Sequence, residues 1–332
     1  MNKPIIAIHG GAGVITKNTM NPSKEKEYIK ALDRAINIGS AILDKGGSAC
    51  DAVERAVMSM EDCPLFNAGK GAVFTNKGVH EMDATFMDGA LLNAGSVSKI
   101  ASVKNPISMA RIVMTKSEYA YLSGREALDF AELHEIEFED NEYFFQQNRY
   151  DQLLVAQSLG KSRLDHSEIP KEVKNGNGNK HIPNLESDLP DEPEDKFGTV
   201  GAVALDINGN LAAATSTGGL TNKKYGRVGD SAIIGAGTYA NNATCAISCT
   251  GFGEYFMRTV AAHDISCLME YKGLSLEKAC NLVLNDKIGK MGGVGGLIAV
   301  DKSGNFQFCF NTEGMYRAVK EANGEPLIEI YR

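Results

Sequence analysis

A sharp change of composition near residue 198 constrains this chain more than any other feature. The segment 161–197 is almost entirely polar, and its stretch 188–196 is too rich in proline and acidic residues for a buried core. It is followed directly by the apolar, strand-like run GTVGAVALDINGNLAAATSTGG, which begins at Gly198 and Thr199. The polar segment is therefore predicted to be a linker inserted between strand partners of one structural domain. Cutting such an exposed loop would leave the packed core intact.

The Gly198-Thr199 pair at this junction is what a precursor that cleaves itself would need. A threonine at a new N-terminus carries its own base, because the freed α-amine accepts the hydroxyl proton. An α-amine with a pKa of about 7.7–8.0 is partly unprotonated near neutral pH. The alternative is that Gly198 merely ends a linker and that Thr199 is an ordinary β-branched strand residue.

Composition excludes several classes of protein. The chain has 332 residues, of which 43% are hydrophobic, so it can bury a large core. A formal net charge of -8 and the lack of a basic stripe argue against a nucleic-acid partner. The apolar run at 5–8 is too short for a signal sequence or a membrane span. The cysteines number seven, are scattered and show no CxxC spacing, which predicts free thiols in a reducing cytoplasm.

Capping and periodicity predict a similar order of strands and helices on both sides of the linker. Asn21-Pro22 is predicted to begin one helix, and Ser48 with Asp51 resembles a capping box that begins the next. Before the linker, strands are expected in the segments 72–75, 80–89 and 91–100, and helices near 106–116, 124–134 and 141–159. After Thr199, strands are expected near 199–206, 211–216, 244–249, 295–300 and 305–309, and helices near 252–271 and 275–289.

Threonine-bearing segments after the junction carry the candidate chemistry. They are Thr199 itself, TSTGGLTNK with Thr217, and SCTGFGE with Thr250. Between them, Arg227 and Asp230 lie three apart in a glycine-rich loop. A guanidinium binds a carboxylate in bidentate fashion and a carboxylate binds an ammonium, so this pair suits a clamp for a free amino acid. The alternative is a surface ion pair.

The TGFG segment at 250–253 offers backbone N–H groups for an anion or oxyanion, although a simple β-to-α turn would also need its glycines. The histidines do not cluster, and neither HExxH nor GxSxG occurs. HGGAG at 9–13 lacks both the Walker and the Rossmann spacing. A threonine mechanism, which needs no histidine, is therefore favoured over a metal or serine-histidine mechanism.

These segments together resemble the plant-type L-asparaginase / isoaspartyl peptidase family, the β-aspartyl peptidase branch of the N-terminal nucleophile hydrolases. The similarity runs nearly end to end and fails only in the polar linker. It implies an α+β fold, an αββα four-layer sandwich, and a precursor that cleaves itself into residues 1–198 and 199–332. The segments that carry it are IAIHGGAG (6–13), CPLFNAGKGAVFT (63–75), EMDATFMDG (81–89), NPI (105–107), GTVGAVALDINGNLAAATSTGG (198–219), GRVGDS (226–231), GAGTYANN (235–242), SCTGFGE (248–254) and NTEGMYRA (311–318).

The resemblance implies a covalent mechanism at Thr199. The mature threonine would attack the side-chain amide of L-asparagine or the β-peptide bond of an isoaspartyl dipeptide. Water would then hydrolyse the resulting β-aspartyl ester. Thr217 would orient Thr199, Asn67 would lie beside it, and Thr250 with the Gly251 N–H would form the oxyanion hole.

The resemblance also implies a substrate site. Arg227 would hold the α-carboxylate, and Asp230, helped by Gly253, would hold the α-amine. Val228 and Gly229 in the same loop would also bind the substrate, as would Thr250 and Gly251. Phe252 occupies the variable position of TGxG, where a bulky ring would narrow or reshape the leaving-group side of the pocket.

No cofactor is expected for catalysis, but the resemblance implies a structural sodium ion bound by main-chain carbonyls, which suit hard cations. The matching positions are Met60, Glu61, Cys63, Phe66, Ala68 and Lys70. The resemblance further implies a cytoplasmic dimer of αβ heterodimers with no membrane or nucleic-acid partner.

Two alternatives stay open. One is a glycosylasparaginase, a branch that usually carries a secretory signal. The other is an amino-acid-binding relative that never cleaves. The joint presence of Thr199, Thr217 and Thr250 favours an active hydrolase.

Overall fold

The computed structural model describes residues 3–18, 20–160 and 198–332. The predicted linker at 161–197 lies outside these residues. The strands, in chain order, are β1 (Ile5–Gly13), β2 (Met82–Asp88), β3 (Asn93–Ile100), β4 (Tyr121–Ser123), β5 (Val200–Leu205), β6 (Leu211–Thr217), β7 (Thr238–Ala240), β8 (Cys245–Gly251), β9 (Gly295–Asp301), β10 (Phe306–Phe310), β11 (Gly314–Glu321) and β12 (Leu327–Tyr331). The helices are α1 (Pro22–Asp44), α2 (Ala49–Glu61), α3 (Pro106–Lys116), α4 (Glu126–Leu133), α5 (Asn141–Phe144), α6 (Gln147–Ser158), α7 (Gly253–Thr259), α8 (Ala261–Lys272) and α9 (Leu276–Asn281).

Strands from both sides of residue 198 pair in one sheet. Over the described ranges, the larger sheet has the strand order β12-β11-β1-β5-β6-β2-β3-β4, and the smaller has the order β10-β9-β8-β7. Only the β3–β4 pair is parallel in the part of the chain that the structure covers. β5 therefore lies between β1, from the first half of the chain, and β6, from the second half. This arrangement brings the junction at residue 198 to the middle of the larger sheet.

The larger sheet is buried on both faces. Along β1, Ile6 and Ile8 pack against α1 and α2, whereas Ile5 and Ala7 face the smaller sheet. This alternation follows from the period of two along a strand. The smaller sheet is covered on its other face by α7, α8 and α9, and Ile247 belongs to that cluster.

The predicted helix starts are confirmed. Asn21 caps α1 by accepting a hydrogen bond from the Ser23 N–H at 2.8 Å. Ser48 caps α2 by accepting one from the Asp51 N–H at 3.1 Å. Each side chain satisfies a backbone donor that the first helical turn leaves without a partner.

Several predicted elements were wrong in extent. The segment 72–75 forms only isolated bridges, from Phe74 to His80 and from Thr75 to Lys223. The helix expected at 141–159 is two helices, because Phe145 and Gln146 are extended. The helix expected at 252–271 breaks at Val260, whose φ is +50°. The helix expected at 275–289 ends in a π-helical segment at 282–288.

Four strands of the described residues were missed by the sequence analysis: β4, β7, β11 and β12. Where the structure describes the chain, its helices are too short or too polar to cross a membrane.

Candidate active site

Thr199 lies where the chain enters the middle of the larger sheet. It directly precedes β5, and the register of β5 with β6 pairs Val200 with Ser216. One step further along the ladder brings Thr199 next to Thr217, the last residue of β6. Strand pairing therefore determines one side of the site.

The Thr199 hydroxyl faces two other hydroxyl groups. Its Oγ1 donates to Thr217 Oγ1 at 3.2 Å, and Ser231 Oγ lies 3.5 Å from it. Thr199 is 8% exposed, and both partners are buried. Thr217 Oγ1 also accepts a hydrogen bond from the Gly219 N–H at 3.0 Å, which limits its orientation. A hydroxyl held in this way is suited to nucleophilic attack once a base is available.

Gly198, which precedes the candidate nucleophile, packs against the first strand of the chain. Gly11 on β1 has a φ of +107°, a region that glycine adopts readily and other residues rarely. A Cβ atom added at Gly11 would lie 2.6 Å from the main-chain nitrogen of Gly198. The absence of a side chain at Gly11 therefore allows direct backbone contact with Gly198.

A cavity beside Thr199 brings together most of the predicted site residues. They come from β1, the loop after α2, both ends of the β5–β6 hairpin, the loop before β7, and the end of β8. Val228, Phe252 and Gly253 are not among the described residues that line it. The lining residues are Ala12, Asn67, Gly198, Thr199, Thr217, Gly219, Leu220, Arg227, Gly229, Asp230, Ser231, Thr250 and Gly251.

Asn67 anchors the chain that leaves β6. Its amide nitrogen donates to the Gly219 carbonyl at 2.8 Å, and its main-chain carbonyl accepts from the Gly218 N–H at 2.9 Å. Its side-chain oxygen accepts from the Val73 N–H at 3.0 Å. Asn67 lines the same cavity as Thr199, and these contacts hold it in place.

Arg227 lies in the cavity wall with its guanidinium already paired. Its Nε and one terminal nitrogen each donate to a carboxylate oxygen of Glu254 at 2.9 Å. The bidentate pair leaves the remaining guanidinium donors available. Glu254 lies in the first turn of α7, which directly follows β8 of the smaller sheet. The ion pair therefore joins the loop at 226–231 to the end of that sheet.

Asp230 is buried beside Arg227, and its Oδ2 atom has no hydrogen-bond partner among the described residues. Burial raises the pKa of Asp230 to about 7, although the Arg227 charge opposes the shift. A Cβ atom at Gly253 would lie 2.7 Å from Asp230 Oδ1, so the missing side chain there makes room for the carboxylate. The site therefore holds a buried carboxylate with one oxygen that has no hydrogen-bond donor among the described residues.

Thr250 and Gly251 form the opposite wall at the end of β8. Thr250 is buried, and Gly251 is the last residue of the strand. The next residue, Phe252, donates its N–H to the Val294 carbonyl at 3.1 Å, and its ring packs edge-on against Tyr255. The effect of the Phe252 ring on the leaving-group side stays a prediction.

A hydrogen-bonded network of buried side chains joins the two sheets near the candidate nucleophile. His9 Nε2 lies 2.9 Å from Ser248 Oγ, which lies 2.7 Å from Thr215 Oγ1. Thr238 Oγ1 donates to Thr215 Oγ1 at 2.6 Å. Complete burial lowers the pKa of His9 to about 3, so the ring is neutral near neutral pH. His9 thus serves this network as a neutral hydrogen-bonding group.

Sequence reasoning assigned no role to Ser231, Glu254 or Lys223, although all three lie in segments that it singled out. Ser231 and Glu254 directly follow predicted site residues, but an adjacent position does not reveal which way a side chain points. Lys223 follows Thr217 by six residues, and a lysine in a polar run is ordinarily read as exposed. In the structure, Lys223 is 3% exposed.

The loop after α2 has features that fit a hard cation. The carbonyls of Cys63 and Ala68 accept backbone hydrogen bonds from the Phe66 and Gly71 N–H groups, and a carbonyl oxygen has a second lone pair for a further ligand. A Cβ atom at Gly69 would clash with the Glu61 carbonyl oxygen, so the close approach of the chain to that oxygen requires glycine here. The negative end of the α2 dipole at this loop also favours a cation.

The side chains of two other positions in this loop, Phe66 and Lys70, pack against aromatic rings. Phe66 is buried and its ring packs edge-on against Tyr28, with the ring centroids 5.8 Å apart. The Lys70 ammonium lies over the Tyr143 ring, 4.7 Å from its centroid. The Lys70 side chain is thus engaged with an aromatic ring.

The geometry as a whole suits acyl transfer to a threonine hydroxyl. A nucleophile candidate, a guanidinium, a buried carboxylate and the Thr250-Gly251 wall surround one cavity. These groups match the requirements for a nucleophile, for binding a zwitterionic amino acid and for stabilising an oxyanion.

The chain belongs to the asparaginase family, whose model matches residues 2–330. It is 49% identical over 332 residues to an isoaspartyl peptidase of Escherichia coli K12, which covers 100% of this chain and 97% of that protein. It is 42% identical over 329 residues to a probable isoaspartyl peptidase/L-asparaginase 2 of Arabidopsis thaliana, with 98% of both chains covered. It is 39% identical over 304 residues to an isoaspartyl peptidase/L-asparaginase of Homo sapiens, which covers 91% of this chain and 88% of that one.

Proposed function

We propose that this protein is a threonine amidohydrolase that cleaves the side-chain amide of L-asparagine and the β-peptide bond of isoaspartyl dipeptides. The observation that carries the proposal is the 3.2 Å hydrogen bond from Thr199 to Thr217 in a cavity that Arg227 and Asp230 also line. The bacterial relative is an isoaspartyl peptidase by name, and the plant and human relatives are isoaspartyl peptidase/L-asparaginases, which supports the same activity.

The activity first requires self-cleavage between Gly198 and Thr199. Thr199 Oγ1 attacks the Gly198 carbonyl carbon, and the peptide C–N bond breaks as an ester forms. The hydroxyl proton passes to the leaving nitrogen, which becomes the free α-amine of Thr199. Water then hydrolyses the ester, which leaves a carboxylate on Gly198 and restores the Thr199 hydroxyl. The close packing of Gly198 against Gly11 supports this step, because it limits the movement of the carbonyl to be attacked.

The mature site then performs the same chemistry on the substrate. The Thr199 α-amine accepts the hydroxyl proton, and the oxygen attacks the side-chain carbonyl of the substrate. Thr250 and the Gly251 N–H stabilise the oxyanion, and the amine or ammonia leaves with a proton. Water hydrolyses the β-aspartyl ester and restores Thr199.

Charge complementarity selects the substrate's amino-acid end. The Arg227 donors that Glu254 does not use bind the α-carboxylate. Asp230 binds the α-ammonium, which supplies a hydrogen-bond donor to the Oδ2 atom of this buried carboxylate. The free-amino-acid end is thus recognised by two opposite charges set three residues apart.

A structural sodium ion is a further part of the proposal. The main-chain carbonyls of the loop at 60–70 would hold it, at Met60, Glu61, Cys63, Phe66, Ala68 and Lys70. The ion would supply fixed positive charge that keeps this loop, and with it Asn67, in place. Support comes from the tight packing of Gly69 against the Glu61 carbonyl in this loop and from the carbonyl end of α2.

We also propose an αββα four-layer sandwich assembled as a dimer of αβ heterodimers in the cytoplasm. The three apolar clusters, which lie on either side of the two sheets and between them, support the layering. The free thiols of Cys50, Cys63, Cys245, Cys249, Cys267, Cys280 and Cys309 support a reducing compartment.

The test compares incubated wild-type protein with Thr199→Ala and Thr199→Ser. Ammonia release from L-asparagine and aspartate release from a β-aspartyl dipeptide are measured, with the α-linked dipeptide as the substrate control. Activity on both substrates in wild type, partial activity in the serine variant and none in the alanine variant would support the proposal.

Two results would overturn it. Cleavage of glycosylated asparagine in preference to both other substrates would identify a glycosylasparaginase. Binding of aspartate without any turnover by the wild type would identify a binding protein.

A further inference from the structure

Lys223 is a buried lysine that the proposed mechanism does not use. It is 3% exposed and lies in the loop after β6. Its Nζ donates to the Glu81 carbonyl at 2.6 Å and to the Gly218 carbonyl at 2.9 Å. Burying an ammonium costs free energy unless it is paired and hydrogen-bonded. The burial of Lys223 therefore calls for a structural or functional reason.

The contact with Gly218 leads directly to the candidate nucleophile. The Gly218 carbonyl and the Gly219 N–H belong to one peptide unit. Its oxygen accepts from Lys223, and its N–H donates to Thr217 Oγ1 at 3.0 Å. Thr217 Oγ1 in turn accepts from Thr199. A continuous chain of hydrogen bonds therefore runs from the Lys223 ammonium to the Thr199 hydroxyl.

The peptide in the middle of this chain needs anchoring because it joins two glycines. Glycine restricts the backbone least, and Gly219 has a φ of +78°. Asn67 holds the Gly218 N–H and the Gly219 carbonyl, on either side of this peptide unit. Lys223 holds the carbonyl of the unit itself and so determines the direction in which its N–H points.

An acidic partner accompanies the buried ammonium. Asp83 on β2 is fully buried, and the strand register pairs it with Thr217. Its Oδ1 accepts from the Lys99 N–H at 2.9 Å. Burial lowers the pKa of Lys223, and the Asp83 charge opposes that shift. Lysine and aspartate thus stabilise each other's charged forms beneath the end of β6.

We propose that Lys223 is a positioning residue, which orients the Gly218–Gly219 peptide so that its N–H holds Thr217 in the rotamer that receives the Thr199 hydroxyl. The inference rests on the proposed function, since it assigns Lys223 to the same reaction. Lys223 touches neither the substrate nor the reacting atoms. Its loss therefore slows both self-cleavage and turnover and leaves substrate binding intact.

The first test replaces Lys223 with methionine, which has a similar length and no charge, and uses Lys224→Met as the matched control. The rate of self-cleavage and the kcat for L-asparagine are expected to fall about tenfold or more in Lys223→Met, as for the loss of a charge-assisted hydrogen bond. KM is expected to stay within about twofold. Lys224→Met is expected to match wild type. Unchanged rates in Lys223→Met, or a rise in KM alone, would overturn the inference.

A double-mutant cycle separates positioning from general stability. If Lys223 acts through Thr217, then adding Lys223→Met to a Thr217→Val variant causes little further loss of kcat. If Lys223→Met lowers kcat as much in the Thr217→Val variant as it does in the wild type, the inference is refuted. If Lys223→Met fails to fold, Lys223→Arg is the second variant. Arginine keeps the positive charge, but its planar guanidinium cannot reproduce the contacts of the ammonium. This variant should lower kcat without changing KM.

A readout that needs no turnover keeps this inference separate from the proposed function. The readout is NMR of the Thr199→Ala precursor with glycine labelled with 13C at its carbonyl and 15N at its amide. Only a peptide bond between two consecutive glycines joins a labelled carbon to a labelled nitrogen, so the spectrum selects these peptides. The Gly219 amide proton is expected to move upfield in Lys223→Met and to stay in place in Lys224→Met. An unmoved resonance would refute the role of Lys223. Absence of wild-type turnover would refute the proposed function instead.

Discussion

The Arg227 guanidinium and the Glu254 carboxylate form a bidentate pair, with both N–O distances at 2.9 Å. Arg227 was expected to hold the substrate's α-carboxylate, and it does line the cavity. The pair shows that one edge of the guanidinium is already engaged. Glu254 therefore fixes the direction in which the other donors point.

Replacing Glu254 with alanine should weaken substrate binding more than catalysis. Without its carboxylate partner, the Arg227 side chain gains rotamer freedom that substrate binding must remove. KM for L-asparagine is expected to rise about tenfold, with kcat changed by less than about threefold. Steady-state kinetics of the matured variant measure both constants. A lower KM in Glu254→Ala would show instead that Glu254 competes with the substrate for Arg227.

The raised pKa of Asp230 predicts a specific dependence of stability on pH. Its pKa is about 7 in the folded protein and 3.8 as the ordinary value, so the folded state binds more protons between these pH values. The free energy of unfolding therefore falls as pH rises through this window. Above pH 7, the folded protein bears the full cost of burying the ionised carboxylate. The pKa difference corresponds to at most about 4 kcal/mol.

Thermal unfolding of the uncleaved Thr199→Ala precursor, with and without Asp230→Asn, tests this dependence. Asn cannot ionise, so the second variant is expected to be more stable at pH 8 and to lose that advantage as pH falls towards 4. Other titrating groups are common to both proteins and cancel in the difference. A stability difference that does not vary with pH would mean that Asp230 is not the titrating group.

The hydroxyl of Thr250 is expected to contribute to oxyanion stabilisation. Thr250→Val keeps the β-branched shape at this buried position and replaces the hydroxyl with a methyl group. Removing one such donor lowers kcat by about 10²–10³ in comparable sites. Thr250→Ser keeps the hydroxyl and should retain most of the activity. Equal kcat values for the valine and serine variants would exclude this role.

Gly11 is expected to control self-cleavage through its contact with Gly198. In Gly11→Ala, the new Cβ meets the Gly198 main chain at 2.6 Å, so the scissile carbonyl must shift and self-cleavage should slow about tenfold or more. Gly46→Ala is the matched control, because Gly46 also has a positive φ, +76°, but has nothing within 4 Å of an added Cβ. Gel analysis of the precursor over time measures the rates. Similar slowing in both variants would point to backbone strain alone.

The sequence predicted local features whose causes are local. The N-caps at Asn21 and Ser48 and the ends of β5 and β6 depend on a few neighbouring residues, and the structure has them. The segment 72–75 looked like a strand because its residues are apolar and β-branched. It forms only isolated bridges, because strand formation depends on partners that local sequence does not specify.

The site residues also divide into those that the sequence predicted and those that depend on tertiary packing. The resemblance named Thr199, Thr217, Asp230 and other residues that the structure gathers around one cavity. Lys223 escaped notice because its burial and its reach to Gly218 depend on tertiary packing. The Glu254 partner of Arg227 was missed for the same reason, since twenty-seven residues separate the two in sequence.

The most direct test of the central claim is intact-protein mass spectrometry of freshly purified and incubated wild type beside Thr199→Ala. The account predicts that the wild type yields one fragment ending at Gly198 and another beginning at Thr199, while the alanine variant remains a single chain. A wild-type chain that stays intact, or a variant that is cut at the same bond, would contradict the claim that Thr199 releases itself as the nucleophile.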